Sequence, residues 1–268
     1  MNKFKKVWSK CSGVIYPLAF GVIILILWQT TALNKLFGVS GQILPTPTHI
    51  VDVVSSNIGN MAPDIRATIQ VILIGLLLGS VLGYLLAIVG ALFPNVGKGG
   101  ISLVTAFNAI PIIAMTPVFM NLTKLNVSAS SDERSMIAKI LVTTVVSMSA
   151  MSITAYRGLS ELKPFSKDLF DSYACGKAKT LWKLRMPNSI PYVFTALKIG
   201  IPTAVITAIV SEYFTESATG IGYKIKSNIQ NSQYAVGWAY IMVACIAGIV
   251  LYAILSIVSG IILRHRKS

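Results

Sequence analysis

The sequence predicts an all-α polytopic membrane protein with about six transmembrane helices, and three observations predict it. Of 268 residues, 54% are hydrophobic and 12% charged, about half of the roughly 25% charge of an ordinary soluble domain. Mean hydropathy is +0.71. Six apolar stretches, 14–33, 68–93, 101–121, 136–156, 190–213 and 236–263, each approach or exceed the ~20 residues that cross a bilayer. This composition excludes a soluble enzyme, a disordered chain and a disulfide scaffold.

The formal charge is +14, from 23 Lys and Arg against 9 Asp and Glu. Membrane proteins retain basic residues on the cytoplasmic side. With both termini cytoplasmic, the inside segments hold Lys3, Lys5, Lys6, Lys10, Lys98, Arg157, Lys163, Lys167, Lys177, Lys179, Lys183, Arg185, Arg264, Arg266 and Lys267. These are 15 of the 23 basic residues, so the excess needs no nucleic acid. The first stretch follows four lysines and also resembles a secretory signal peptide. Its apolar run is long for one and no small-x-small site follows, so an uncleaved span is expected. Cys11, Cys175 and Cys245 give neither a disulfide framework nor a metal spacing, and His49 and His265 are far apart, so no metal site is expected.

Punctuation falls between the stretches, at Pro45-Thr46-Pro47, Pro94, the polar run 128–134 and Gly220-Ile221-Gly222. A short outside helix is expected over 46–57, capped by Thr46 with Pro47 at its first position. The second stretch carries Gly75, Gly79, Gly83, Ala87 and Ala91 at four-residue spacing, a smooth stripe that lets another backbone approach. Ala244, Gly248, Ser256 and Gly260 do the same in the sixth. Each stripe fits packing within one chain or a seam between subunits.

Thr143, Ser147 and Thr154 share one face of the fourth stretch, and Thr203, Thr207 and Ser211 one face of the fifth. Such hydroxyls either bond their own helix or line a wet passage. Glu212, an acid at membrane depth, either faces a functional path or is solvated at the outer edge. Asn108 with Pro111, and Thr116 with Pro117, interrupt the third stretch, where freed carbonyls can line a cavity.

The inside loop 157–191 is the most informative segment. Leu169, Phe170, Tyr173, Ala174, Ala178, Leu181 and Trp182 recur at three-to-four spacing, giving an amphipathic helix pair around Gly176. Pro187 and Pro191 are expected to stop it just before the fifth span. Such a basic helix can lie on anionic lipid or dock into a partner's groove. A short helix leading directly into a span makes a lever, which favours docking.

The run 168–191 resembles the "EAA" loop of ABC importer permeases. That pattern has an acid, two small residues, three variable ones and a Gly, ending thirteen positions later in Leu-Pro. Here Asp168-Leu169-Phe170 stands for Glu-Ala-Ala, Ala174 takes the place of the Gly thirteen residues before Pro187, and Met186 replaces the Leu. Leu44-Pro45-Thr46-Pro47, Ala67-Thr68, Ala109-Ile110-Pro111, Ala155-Tyr156-Arg157-Gly158-Leu159 and Gly220-Ile221-Gly222-Tyr223 are similar to the branch importing nitrate, sulfonates, taurine or pyrimidine and flavin precursors.

The resemblance implies a type I importer permease fold in the inner or plasma membrane. Residues 1–62 would carry the cytoplasmic N-terminus, first span and outside helix, 63–263 the five-span permease core, and 264–268 a cytoplasmic tail. It implies a transport subunit, not an enzyme. Gly97-Lys98-Gly99 lacks the flanking Gly and the Ser or Thr of a phosphate loop. ATP and Mg are therefore expected on separate ABC ATPase subunits, with no cofactor on this chain. A second permease chain, expected as a homodimer, and an extracytoplasmic solute-binding protein complete the set. Asp168, Phe170, Tyr173, Ala174, Gly176, Leu181, Trp182 and Pro187 are the candidates for coupling to the ATPase. Asn108, Thr143, Ser147, Thr203, Thr207, Ser211 and Glu212 are the candidates for the translocation pathway. The cargo would be a small nutrient, of oxyanion or sulfonate type or a heterocyclic vitamin precursor. The alternative is a secondary transporter driven by an ion gradient. That class shows inverted repeats and deep charges, and no repeat is found here.

Overall fold

In lipid, every backbone N–H and C=O must be satisfied within its own segment, so long apolar runs become helix. A computed structural model describes residues 3–106, 109–124, 130–215 and 217–264, and among them there is no strand. The elements are α1 (Lys3–Gln29), α2 (Ala32–Phe37), α3 (Pro47–Leu92), α4 (Pro94–Ala106), α5 (Ile112–Thr123), α6 (Ser131–Ser160), α7 (Ser166–Ser172) and α8 (Lys177–Thr180). A π-helical turn over Leu181–Arg185 leads into α9 (Met186–Phe214), followed by α10 (Ile221–Gln230) and α11 (Tyr234–Arg264). Four segments, Pro47–Leu92, Ser131–Ser160, Lys177–Phe214 and Tyr234–Arg264, are long and apolar enough to cross a membrane. The apolar parts Ile15–Gln29 and Ile112–Thr123 are shorter.

Four expectations are corrected. The stretch 101–121 is not one continuous helix but α4 and α5, parted before Pro111, whose ψ of 129° is incompatible with helix. The outside helix over 46–57 is not separate: α3 runs unbroken for 46 residues and carries Pro63 inside it. Its first turn is capped not by Thr46 but by Gln29, whose Oε1 accepts from Thr48 N at 3.2 Å while Nε2 donates to Thr48 Oγ1 at 2.9 Å. Finally, Pro187 and Pro191 do not stop the helix. Pro187 sits in the first turn of α9 and Pro191 inside it. In the wide π turn just before, Met186 N–H donates to the Leu181 carbonyl, and the wider turn leaves room for the ring of a proline that has no N–H to give.

The chain forms two compact units. In the first, up to Met61 with Ile225–Met242, Trp28 and Trp238 meet edge to face at 5.4 Å. Their indoles donate to the carbonyls of Pro45 and Ile43, both at 2.9 Å. Amphipathic rings of this kind suit the membrane–water interface.

The second unit, Ala62–Lys224 with the chain from Val243, is built on α3, α6 and α9. A capping box opens α6: Ser130 Oγ accepts from Glu133 N, and Glu133 Oε2 accepts from Ser130 N. The glycine stripe of α3 then lies on α6, in parallel register. Gly75 faces Thr143, Gly79 faces Ser147 and Gly83 faces Met151, so closely that a Cβ on Gly79 would stand 2.6 Å from that of Ser147. That stripe is therefore packing within one chain. Helix α9 runs antiparallel to α3, with Ser189 Oγ near the start of α9 2.8 Å from Tyr84 Oη toward the end of α3. Val71, Ile72, Ala204 and Ala208 fill one core between these helices. Ala87, Ala91, Met151, Ala155, Leu159, Leu181 and Ala196 fill another.

Candidate functional site

The loop after α6 is short helix, tight turn, short helix. Phe165 (φ 63°) opens α7, and Asp168 lies in its first turn. Ala174 then takes φ 47°, and its N–H bonds the Asp171 carbonyl while Cys175 N bonds that of Phe170. Gly176 returns to extended backbone and starts α8. The left-handed conformation explains why a glycine suits position 174, since a Cβ there costs roughly 1–2 kcal/mol.

This turn presents apolar side chains to the outside. Tyr173 is 76% exposed and Trp182 67%, and Phe165 and Leu169 of the same loop are also exposed. Phe170 is half-buried, and Asp168, Ala174 and Gly176 are exposed. Leu181 differs: at 7% exposure it belongs to the core against Ala155 and Leu159. It holds the loop down and is not free to touch a partner. Pro187 is half-buried in the first turn of α9.

What fixes the loop to the spans was not singled out from the sequence. Arg185 Nη1 donates to the carbonyls of Ala91 (3.2 Å) and Leu159 (3.4 Å), in the last turns of α3 and α6. Asn188 Nδ2 donates to Gly158 O at 2.8 Å and Glu161 O at 3.0 Å. Helix C-termini leave four carbonyls unpaired and carry partial negative charge, so a cation and an amide donor fit them. Basic residues near a predicted helix end were the only available signal.

The pathway candidates do not gather around an opening. Thr143 and Ser147 are buried against the α3 glycine stripe, at 0% and 3% exposure. Thr143 bonds the Lys139 carbonyl and Thr207 that of Thr203, each four residues back, while Ser211 bonds Ala208 O. Thr207 and Ser211 are fully buried. Thr203 keeps partial exposure, on the α9 face that also exposes Ile199 and Ile206. Asn108 lies outside the described residues.

Glu212 is neither solvated nor in an open path. Its side chain is fully buried and receives Thr68 Oγ1 at 2.9 and 3.0 Å and Gly222 N at 2.8 Å. Thr68 Oγ1 in turn accepts Ile221 N at 2.9 Å, and Asp64 Oδ1 accepts Gly220 N at 3.1 Å. Gly220 (φ 107°) shapes the turn, and a Cβ there would strike the Glu212 carboxylate. Buried Lys139 on α6 supplies an opposite charge that attracts this carboxylate. In the sequence Thr68 figures only as part of the Ala67-Thr68 resemblance, and Asp64 and Lys139 are not singled out. Among the described residues, no three His, Cys, Asp or Glu side chains converge as metal ligands.

Known proteins match over the same elements. Residues 75–267 match the family model described as "Binding-protein-dependent transport system inner membrane component". The formylaminopyrimidine transport permease protein ThiX of Halalkalibacterium halodurans is 27% identical over 252 residues, 94% of this chain and 96% of that one. A "Probable ABC transporter permease protein" of Haemophilus influenzae is 23% identical over 210 residues, 78% of this chain and 81% of that one. The taurine transport system permease protein TauC of Escherichia coli is 20% identical over 233 residues, 84% of this chain and 80% of that one.

Proposed function

This chain belongs to the binding-protein-dependent transport system inner membrane component family and is a membrane-spanning permease subunit of an ATP-driven importer; from that premise we propose how it couples and what it carries. Permeases of this family work with ABC ATPases and solute-binding proteins. Here the exposed Tyr173 and Trp182, with Phe165, Leu169 and Phe170, form the surface that enters a groove on the ATPase. Asp168, Ala174 and Gly176 shape that turn, while Leu181 and Pro187 seat it. The observation that carries this reading is a set of exposed apolar side chains on a loop held by Arg185 to two helix ends. A displacement of the loop is thereby passed to α3, α6 and α9 as a rigid-element shift.

ATP and Mg belong to the ATPase partner, and this chain carries no cofactor. Both termini lie on the cytoplasmic side with the coupling loop. Two copies of this chain pair around the path, and Thr203 is the hydroxyl retained as a lining residue. The solute is a small polar nutrient, either a heterocycle of the formylaminopyrimidine kind or a sulfonate of the taurine kind. It arrives on a binding protein at the outer face.

Affinity purification of the chain from mild detergent, with mass spectrometry of what stays bound, tests the reading. An ABC ATPase is expected with the wild type and is lost with Tyr173→Asp. A chain that purifies alone, or that keeps the ATPase in the Tyr173→Asp variant, contradicts the coupling assignment.

A further inference from the structure

The cluster around Glu212 lies at the far end of α9 from the coupling loop and takes no part in docking. Its hydrogen bonds form a closed set. The N–H groups of Gly220, Ile221 and Gly222, which open α10, are received by Asp64 Oδ1, Thr68 Oγ1 and Glu212 Oε2. A helix start leaves such N–H groups without intrahelical partners. Here all three acceptors come from outside the helix, two from α3 and one from the end of α9. The Thr68 hydroxyl links two of them, accepting from Ile221 and donating to Glu212.

Breaking such a set inside the protein strands a buried carboxylate and backbone donors, which is costly. At the other end, Arg185 of the π turn bonds Ala91 of α3. Along α3, Thr68 and Ala91 stand roughly 35 Å apart at 1.5 Å per residue, about the thickness of a bilayer core. The antiparallel pair α3 and α9 is therefore fastened at both ends, with an apolar core between.

We propose that Asp64, Thr68 and Glu212 form a clamp that stays closed through the transport cycle. It keeps the α9–α10 connection on α3, and α3 and α9 move as one body. Glu212 is then a positioning residue and not a solute ligand. The motion that opens and closes the path occurs at other seams.

Two measurements on the assembled importer test this. Thr68→Val keeps the shape and removes the linking hydroxyl, whereas Thr68→Ser keeps the hydroxyl. ATP-driven uptake in proteoliposomes is expected to fall at least tenfold in Thr68→Val and to stay within threefold of wild type in Thr68→Ser. ATPase copurification is expected to be retained in both. Wild-type uptake by Thr68→Val, or equal loss in both variants, overturns the clamp. Independently, in a chain whose Cys11, Cys175 and Cys245 are replaced by Ser, spin labels at Arg66→Cys and Thr219→Cys, two exposed positions flanking the clamp, report its state whatever the threonine variants do. One unchanged distance in the nucleotide-free and ATP-trapped complexes is expected. A shift of several ångströms between them shows that the clamp opens and refutes the proposal.

Discussion

Arg185 Nη1 lies 3.2 Å from the carbonyl oxygen of Ala91, 94 residues earlier in the chain. The same nitrogen reaches the Leu159 carbonyl at 3.4 Å. One guanidinium thus joins the π turn before α9 to the ends of two helices. Hydrogen bonds to a charged group contribute about 1.5–3 kcal/mol when well buried, and Arg185 is only half-buried. Arg185→Met is therefore expected to cost about 1–2 kcal/mol, read as a lower thermal midpoint of the purified complex. The ratio of solute imported to ATP hydrolysed is expected to fall as well. An unchanged ratio would show that force reaches the spans by another route.

Tyr173 and Leu181 sit on one loop with opposite surroundings, 76% and 7% exposed. Tyr173→Asp is expected to leave expression and thermal midpoint unchanged while ATPase copurification is lost. Leu181→Asp places a charge in the core beside Ala155 and Leu159 and is expected to destabilise the chain by more than about 3 kcal/mol. Comparing thermal midpoints of the two variants in detergent separates docking from packing.

Ala174 holds φ 47°, a conformation that glycine adopts without a Cβ clash. Ala174→Gly is expected to stabilise the chain by about 0.5–1 kcal/mol after the entropy cost of glycine, read as a higher thermal midpoint. Ala174→Val is expected to lower it, because a branched Cβ fits this region worst. Midpoints moving in the reverse order would contradict the assigned turn.

Gly79 touches α6 where a Cβ would meet Ser147 at 2.6 Å, while Gly100 on α4 has nothing within 4 Å. Gly79→Val is expected to push α3 off α6 and remove folded protein from the membrane fraction. Gly100→Ala is expected to be neutral or slightly stabilising, since it gains helix propensity without a clash. Size-exclusion profiles of the two variants check both outcomes.

The long apolar runs were legible because hydropathy alone demands helix in lipid, and the resemblance at 168–191 singled out the loop whose Leu169, Tyr173 and Trp182 stand exposed. What the sequence hid is physical. The hydrogen bond from Thr143 Oγ1 to the Lys139 carbonyl is the same whether the helix face is wet or dry, so a hydroxyl stripe cannot announce its neighbour. Only the facing Gly75, on another helix, decides it. Glu212 read as a lone acid because Thr68 stands 144 residues before it. The split at Pro111 and the continuity through Pro187 both involve proline in apolar sequence. They part ways because a π turn absorbs one and an extended residue marks the other.

The central claim is that ATP hydrolysis on a partner drives solute through this chain. It is tested most directly by uptake into proteoliposomes holding the chain, its ATPase and the binding protein, with proton and sodium gradients collapsed by ionophores. The account predicts uptake that requires ATP, persists without either gradient and disappears with Tyr173→Asp. Uptake by the chain alone, driven by a gradient and indifferent to ATP, would contradict it.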